Sequence, residues 1–193
     1  MNVERYESLE NFCDQISAQV LECPSEVIID ALQSISVDFF KKTEIWLEHH
    51  IVCLPAKTFR FEIALPPNSE LVRVMSISIY ERNMDKHDYH IENSDIVFHH
   101  PFYTDTEAYI KTVLRPMRYN VLVPSRYLEE YGDIIVQGAL AKLKMMNGTG
   151  VEWRDPEMAK TYLELYNNGR EQTRVSVLRE RIGNTIKPTR SWP

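Results

Sequence analysis

Apolar positions recur at helical spacing at both ends of the chain and at alternating spacing in its middle. Leu9, Phe12, Cys13, Ile16 and Val20 fall on one face of a helix. Glu4, Glu7, Glu10 and Asp14 near its start suit the positive end of a helix dipole. Pro24 interrupts this pattern, and Pro24 or Ser25 starts a second helix that runs from Glu26 to about Glu48. Its apolar positions are Val27, Ile28, Ala31, Leu32, Ile35, Phe39 and Phe40, with Trp46 and Leu47 covering the junction to the next segment.

The period then switches to extended. Thr58–Leu65 alternates as a strand with one buried face, and Pro66-Pro67-Asn68-Ser69 reads as a turn. Leu71–Tyr80 is the strongest strand, and Arg73 and Ser76 break its alternation in the manner of a β-bulge. Shorter strands are predicted at Tyr89–Glu92, Ile96–Phe98, Ile110–Leu114 and near Tyr119–Val123. Strands joined by polar turns, with no βαβ rhythm, point to a small antiparallel sheet or sandwich and away from a dinucleotide-binding fold.

Helical spacing returns after Pro124. Ser125 reads as an N-cap, and Tyr127, Leu128, Tyr131, Ile134, Ile135, Gly138, Ala139, Leu143 and Met146 form the apolar face. Gly138 and Ala139 permit close approach of a neighbouring helix. Asn147-Gly148-Thr149-Gly150 ends that helix, and Asp155-Pro156 starts another with Met158, Ala159, Tyr162, Leu163, Leu165 and Tyr166 inward. Asn167-Asn168-Gly169 is a bend point, after which Val175, Leu178 and Ile182 continue the spacing to Gly183.

The predicted fold class is α+β, a helical bundle built from N- and C-terminal helices and carrying a small antiparallel β-sheet or β-sandwich insertion. The segments are 1–50 (N-terminal helices), 51–123 (β-rich insertion), 124–183 (helices completing the bundle) and 184–193 (an extended arm).

The length of 193 residues allows one modest domain or a core with an appended element, and 44 % hydrophobic with 26 % charged residues excludes wholesale disorder. The net charge of −6 argues against a generally basic nucleic-acid binder. Its distribution is uneven. Residues 1–50 carry 3 basic and 10 acidic groups, whereas 170–193 carry 6 and 2. Electrically unlike ends suit head-to-tail contact between copies. Cys13, Cys23 and Cys53 make neither a disulfide framework nor a CxxC zinc knuckle, which suits assembly in a reducing compartment, and Cys53 is expected as a buried structural thiol. No apolar signal region follows Met1, and no run of 18 apolar residues predicts a membrane span.

Catalytic chemistry has no motif. His49, His50, His87, His90, His99 and His100 show no HExxH spacing, and Asp85, His87 and His90 are at most a polar turn cluster. Glu129, Glu130 and Asp133 are explained by their place in the first turns of a helix. There is no P-loop and no GxSxG elbow. No catalytic residue, cofactor or metal ligand is therefore assigned.

The basic end carries the candidate interface: Arg170, Arg174, Arg179, Arg181, Lys187, Arg190 and Trp192. Arg174, Val175, Leu178, Arg179 and Ile182 interleave charge and apolar surface as a protein-binding helix does. The same arginines, with Trp192 as a stacking group, also suit phosphate contact.

A family resemblance rests on several stretches in order. Phe39-Phe40-Lys41-Lys42-Thr43-Glu44-Ile45-Trp46 precedes a sheet that starts at Thr58–Leu65, and Leu71-Val72-Arg73-Val74 follows a proline turn. Leu114-Arg115-Pro116, Val123-Pro124 and Tyr131-Gly132-Asp133-Ile134-Ile135-Val136-Gln137-Gly138-Ala139 come next. Trp153-Arg154-Asp155-Pro156 and Ala159-Lys160-Thr161-Tyr162 complete the set. Their order and spacing, over roughly Ser25 to Gly169, resemble the head-to-tail adaptor (connector) family of tailed bacteriophages, particularly its podovirus type, tail tubular protein A. The resemblance implies a structural virion protein with no catalytic residues. It implies a homo-oligomeric, dodecameric ring at the head-tail junction, assembled in the host cytoplasm. It also implies portal protein and tail tube or nozzle protein as partners, and a channel that passes DNA without sequence-specific binding. The basic, tryptophan-ending tail departs from the family pattern. Alternative readings are a peripheral virion β-module for carbohydrate binding, or a small hydrolase using histidine and acidic residues.

The tail reading generates a test. Deleting Lys187–Pro193 is expected to leave helix content and thermal unfolding unchanged while weakening docking to a portal or neighbouring subunit. Trp192→Ala should reproduce most of the loss, since a buried aromatic anchor contributes about 2 kcal/mol or more. Replacing Lys187 and Arg190 should reproduce less, because exposed ion pairs contribute about 0–1 kcal/mol each. Binding affinities at two salt concentrations check this, and unchanged affinity after the full deletion contradicts it.

Overall fold

A computed structural model describes residues 5–80, 82–92, 94–148 and 150–185. The chain is α+β, with helices in its N- and C-terminal parts and an antiparallel, multi-stranded β insertion between them. It divides into two compact units, one comprising 1–45 and 118–193, the other Trp46–Met117.

In the helical unit, a short strand β1 (Tyr6–Ser8) leads through a 3₁₀ turn (Leu9–Phe12) into one turn of helix, α1 (Cys13–Ser17), followed by α2 (Ser25–Thr43). The first element is thus not the helix its apolar spacing predicts. Ser8 adopts extended backbone, and its hydroxyl accepts from the Glu10 N–H, which starts the helical turns only after the strand. Leu9, Ile16 and Val20, which set the helical spacing, are all buried. Helix α2 ends at Thr43 rather than near Glu48, because Glu44 takes a left-handed conformation (φ 55°) and closes the helix.

The sheet unit contains β2 (Leu47–Leu54), β3 (Arg60–Glu62), β4 (Ser69–Ile79), β5 (Arg82–Asn83), β6 (Tyr89–Glu92), β7 (Asp95–Phe98) and β8 (Thr106–Pro116). They form two antiparallel sheets, ordered β2-β8-β4-β5 and β3-β7-β6. Both sheets contribute to one apolar cluster, with Leu54, Ile77, Ala108 and Ile110 from the first and Tyr89, Ile96 and Phe98 from the second. The register of β4 against β8 slips between Leu71 and Arg73 and again between Val74 and Ser76, so the expected bulge occurs twice.

Three strands differ from the pattern. Thr58–Leu65 pairs only over Arg60–Glu62. Strand β2 occupies Leu47–Leu54, so the sheet unit begins at Trp46 where the sequence pattern places the insertion at 51–123. The strand near Tyr119–Val123 is β9 (Leu122–Pro124), which pairs with β1 in the helical unit through Tyr6↔Pro124 and Ser8↔Leu122.

Helix α3 (Ser125–Lys144) follows β9 directly, with Pro124 rather than Ser125 at the capping position. Helix α4 (Pro156–Thr185) runs without interruption through Asn167-Asn168-Gly169. Asp155 caps it as its sequence suggests, accepting from the Met158 N–H at 3.1 Å. Phe40 packs on Tyr127 at 5.3 Å between centroids, and Lys142 pairs with Asp30 at 2.9 Å, so α3 runs antiparallel to α2. Of the apolar face expected for α4, Ala159 and Tyr166 are buried, while Met158, Leu163 and Leu165 are exposed.

Gly138 marks where α2, α3 and α4 meet. A Cβ there would stand 2.6 Å from Ile35 Cγ2 and 2.8 Å from Tyr166 Cδ2. In an open helix, glycine to alanine gains about 0.8–1.0 kcal/mol of helix propensity. Here overpacking opposes that gain. Gly138→Ala is expected to lower unfolding stability by about 1–3 kcal/mol, measured by urea denaturation, and an unchanged or higher stability contradicts the close approach.

Candidate interaction surface

Helix α4 has two faces of different chemistry. Its inner face carries Ala159, Tyr166, Thr173 and Val177, all buried and spaced by seven, seven and four residues. The Tyr166 hydroxyl donates to Asp38 on α2 at 2.8 Å. Arg170 stands over the Tyr166 ring at 5.4 Å and lies 3.5 Å from the same carboxylate, which Lys42 also meets at 3.0 Å. Burial, reinforced by Asp38, pushes the Tyr166 phenol well above the ordinary tyrosine range.

Further along the helix, Arg181 reaches the end of α2. Its Nη1 donates to the Glu44 carboxylate at 2.8 Å and its Nη2 to the Glu44 carbonyl at 2.6 Å. A guanidinium here satisfies a carbonyl at the α2 C-terminus and favours the negative end of that helix dipole.

The outer face presents Val175, Leu178 and Ile182, exposed at 42, 44 and 59 %. Their spacing of three and four residues makes one stripe, turned by about 150° from the packed face at 100° per residue. Val175 lines a shallow depression with Glu171, Gln172, Ser176 and Arg179. Arg174 beside it is more than half exposed and lies 3.9 Å from Glu171.

The four described candidate arginines therefore separate. Arg170 and Arg181 hold α4 to α2, whereas Arg174 and Arg179 border the exposed stripe. Lys187, Arg190 and Trp192 lie outside the described residues. The acidic partners Asp38 and Glu44 are not among the candidates that the sequence pattern names. Part of the signal for them is angular, because Tyr166, Arg170, Thr173, Val177 and Arg181 share one side of an α-helix while Arg179 lies on the other. Arg174 is only about 20° from Arg181 at 100° per residue and is not separated this way.

The remaining chemistry is dispersed. His50 points inward from β2 and lies 3.0 Å from Thr112 Oγ1, and burial pushes its imidazole below the ordinary histidine range. Cys53 is exposed, contrary to the expected buried thiol, because the alternation of β2 turns His49, Ile51 and Cys53 outward. Cys13 and Cys23 are half-buried, and burial raises both thiols. Among the described residues no three histidine, cysteine or acidic side chains come together to hold a metal ion. Exposed Phe59, Tyr80 and Tyr103 stand outside the strands and Tyr109 stands on β8. No described helix is long and apolar enough to cross a membrane.

No family model matches the chain, and no curated protein matches it.

The division of α4 into two faces predicts contrasting variants. Arg181→Ala should cost about 1.5–3 kcal/mol of unfolding stability, the range for hydrogen bonds to charged groups. Val175→Ser with Leu178→Ser should stay within about 0.5 kcal/mol, as surface changes do. Denaturation midpoints of both variants check the contrast, and equal destabilisation contradicts it.

Proposed function

We propose that this chain is a structural virion protein, a head-to-tail adaptor that forms a ring between portal and tail around a central DNA channel. The observation that carries the reading is the outer face of α4, an apolar stripe bordered by Arg174 and Arg179 on a helix whose opposite face is already packed. A ring closes through heterologous contacts, in which each copy offers two unlike surfaces. The stripe of Val175, Leu178 and Ile182 with Arg174 and Arg179 would be one of them, since Arg170 and Arg181 of the basic end are already engaged by Asp38 and Glu44 within the chain. The order of helices, antiparallel insertion and helices agrees with the resemblance to phage connectors, in which a helical bundle carries a β domain.

In this reading the helical unit forms the body of a dodecameric ring, and the β insertion is a small sandwich. Portal protein binds one side of the ring and tail tube or nozzle protein the other. The protein acts at the head-tail junction of the virion after assembly in the host cytoplasm. It has no catalytic role and needs no cofactor. A net charge of −6 suits a channel that lets DNA pass, since dense phosphate contacts would retain it.

Mixing the purified chain with a candidate portal ring tests the proposal. A discrete co-sedimenting complex is expected, weakened by the paired Val175→Ser and Leu178→Ser changes. Absence of any complex at micromolar concentration, from a chain that itself stays monomeric, contradicts the adaptor reading.

A further inference from the structure

Strands β6 and β7 place two histidines together that nine residues separate in sequence. The ladder pairs His90 with Val97, and His99 lies two residues beyond Val97, so the histidines are diagonal neighbours on one face of the sheet. His90 Nδ1 lies 3.3 Å from His99 Nε2, and the ring centroids are 5.5 Å apart. Both side chains are exposed to solvent.

The backbone beneath them is well held. Tyr89 and Phe98 are paired in the ladder and buried, and Phe98 packs edge-on against Phe102 at 4.9 Å. The His99 N–H donates to the Asp88 carbonyl at 2.9 Å, fixing the residue just past the strand. Asp88 itself sits in a turn where its carboxylate accepts from the Asp85 N–H at 3.2 Å. Nearby, Arg60 is engaged by Asp95 at 2.5 Å and Glu92 at 3.1 Å. The cation on this sheet is thus already matched by two carboxylates.

The separation of the two nitrogens has a chemical meaning. Two imidazole nitrogens bound at 2.0–2.1 Å to one tetrahedral centre lie about 3.3–3.4 Å apart. The pair therefore stands at the edge length of a tetrahedral site. The same distance is that of an N–H···N hydrogen bond, so an ion would need the donor ring to shift its hydrogen to its other nitrogen, which frees the second lone pair. We propose that His90 and His99 form a cross-strand chelate for a divalent first-row transition ion, with water completing its coordination. Imidazole pairs suit zinc, nickel and copper, whereas magnesium and calcium prefer oxygen ligands. A bound ion would tie β6 to the end of β7 and stabilise the three-stranded sheet, since a ligand that binds only the folded state shifts the folding equilibrium.

The test is calorimetric titration of the full chain with zinc chloride, and separately with nickel sulfate, near neutral pH. One ion per chain is expected. His90→Asn and His99→Asn should each weaken it at least about tenfold, while His87→Asn and His100→Asn should leave it unchanged. Circular dichroism verifies that the variants fold, and His90→Gln and His99→Gln serve as second substitutions at the same positions. Nickel should also raise the thermal midpoint of the native chain but not of the His90 and His99 variants. Absence of binding overturns the chelate. So does binding that persists undiminished in the folded His90 and His99 variants, which would assign the ion to other donors.

Discussion

The close approach of α2, α3 and α4 around Gly138 is the contact on which the helical unit depends. Ile35 comes from before the sheet insertion, whereas Gly138 and Tyr166 come from after it. The two parts of one core are thus separated in sequence by an entire folded unit. Closing so long a loop costs chain entropy, although the cost grows only logarithmically with length. Burial of Phe39, Phe40, Leu32, Ile135 and Leu140 offsets it, and the edge-on contacts of Phe40 with Phe39 and Tyr127 add directional packing. The β1–β9 pair reinforces the same closure, because β9 leads straight into α3.

Polar contacts then fix how α4 lies on α2. Tyr166 and Arg170 meet Asp38, and Arg181 meets Glu44 further along α2, so the two helices run parallel with a defined register. A charged pair of this kind adds less to stability than the apolar core, but its loss leaves a poorly solvated partner. The same rotation that turns Arg170 and Arg181 inward turns Val175, Leu178 and Ile182 outward. The exposed stripe on α4 is consequently a by-product of how the helix is held.

Strong periodicity makes much of this fold legible in the sequence. The apolar stripes of α2 and α3, the Asp155-Pro156 start of α4 and the alternation of β4 with its irregularities all come from local rules. The first half of β2 is not legible, because Leu47-Glu48-His49-His50 has no β-branched residue and continues directly from a helical stripe. Ile51 and Val52 in the second half favour a strand, and pairing with β8 over eight positions extends it back to Leu47. Strand β1 has the same origin, since Tyr6–Ser8 is extended because β9 is beside it. In α4, leucines at 163 and 165 read as core because apolar residues outnumber the places available on the packed face. The inward role of Arg170 and Arg181 needs partners on α2 that no local pattern names, and the meeting of His90 with His99 needs the β6–β7 register.

An exposed apolar stripe flanked by arginines has the chemistry that the proposed contact between copies requires. Closure of copies of the chain into a ring through this surface is tested most directly by sedimentation velocity of the purified protein across a wide concentration range. The account predicts one discrete closed species of twelve 22.7 kDa subunits, about 272 kDa in all. A 22.7 kDa monomer at every concentration, or an open-ended ladder of sizes, would contradict it.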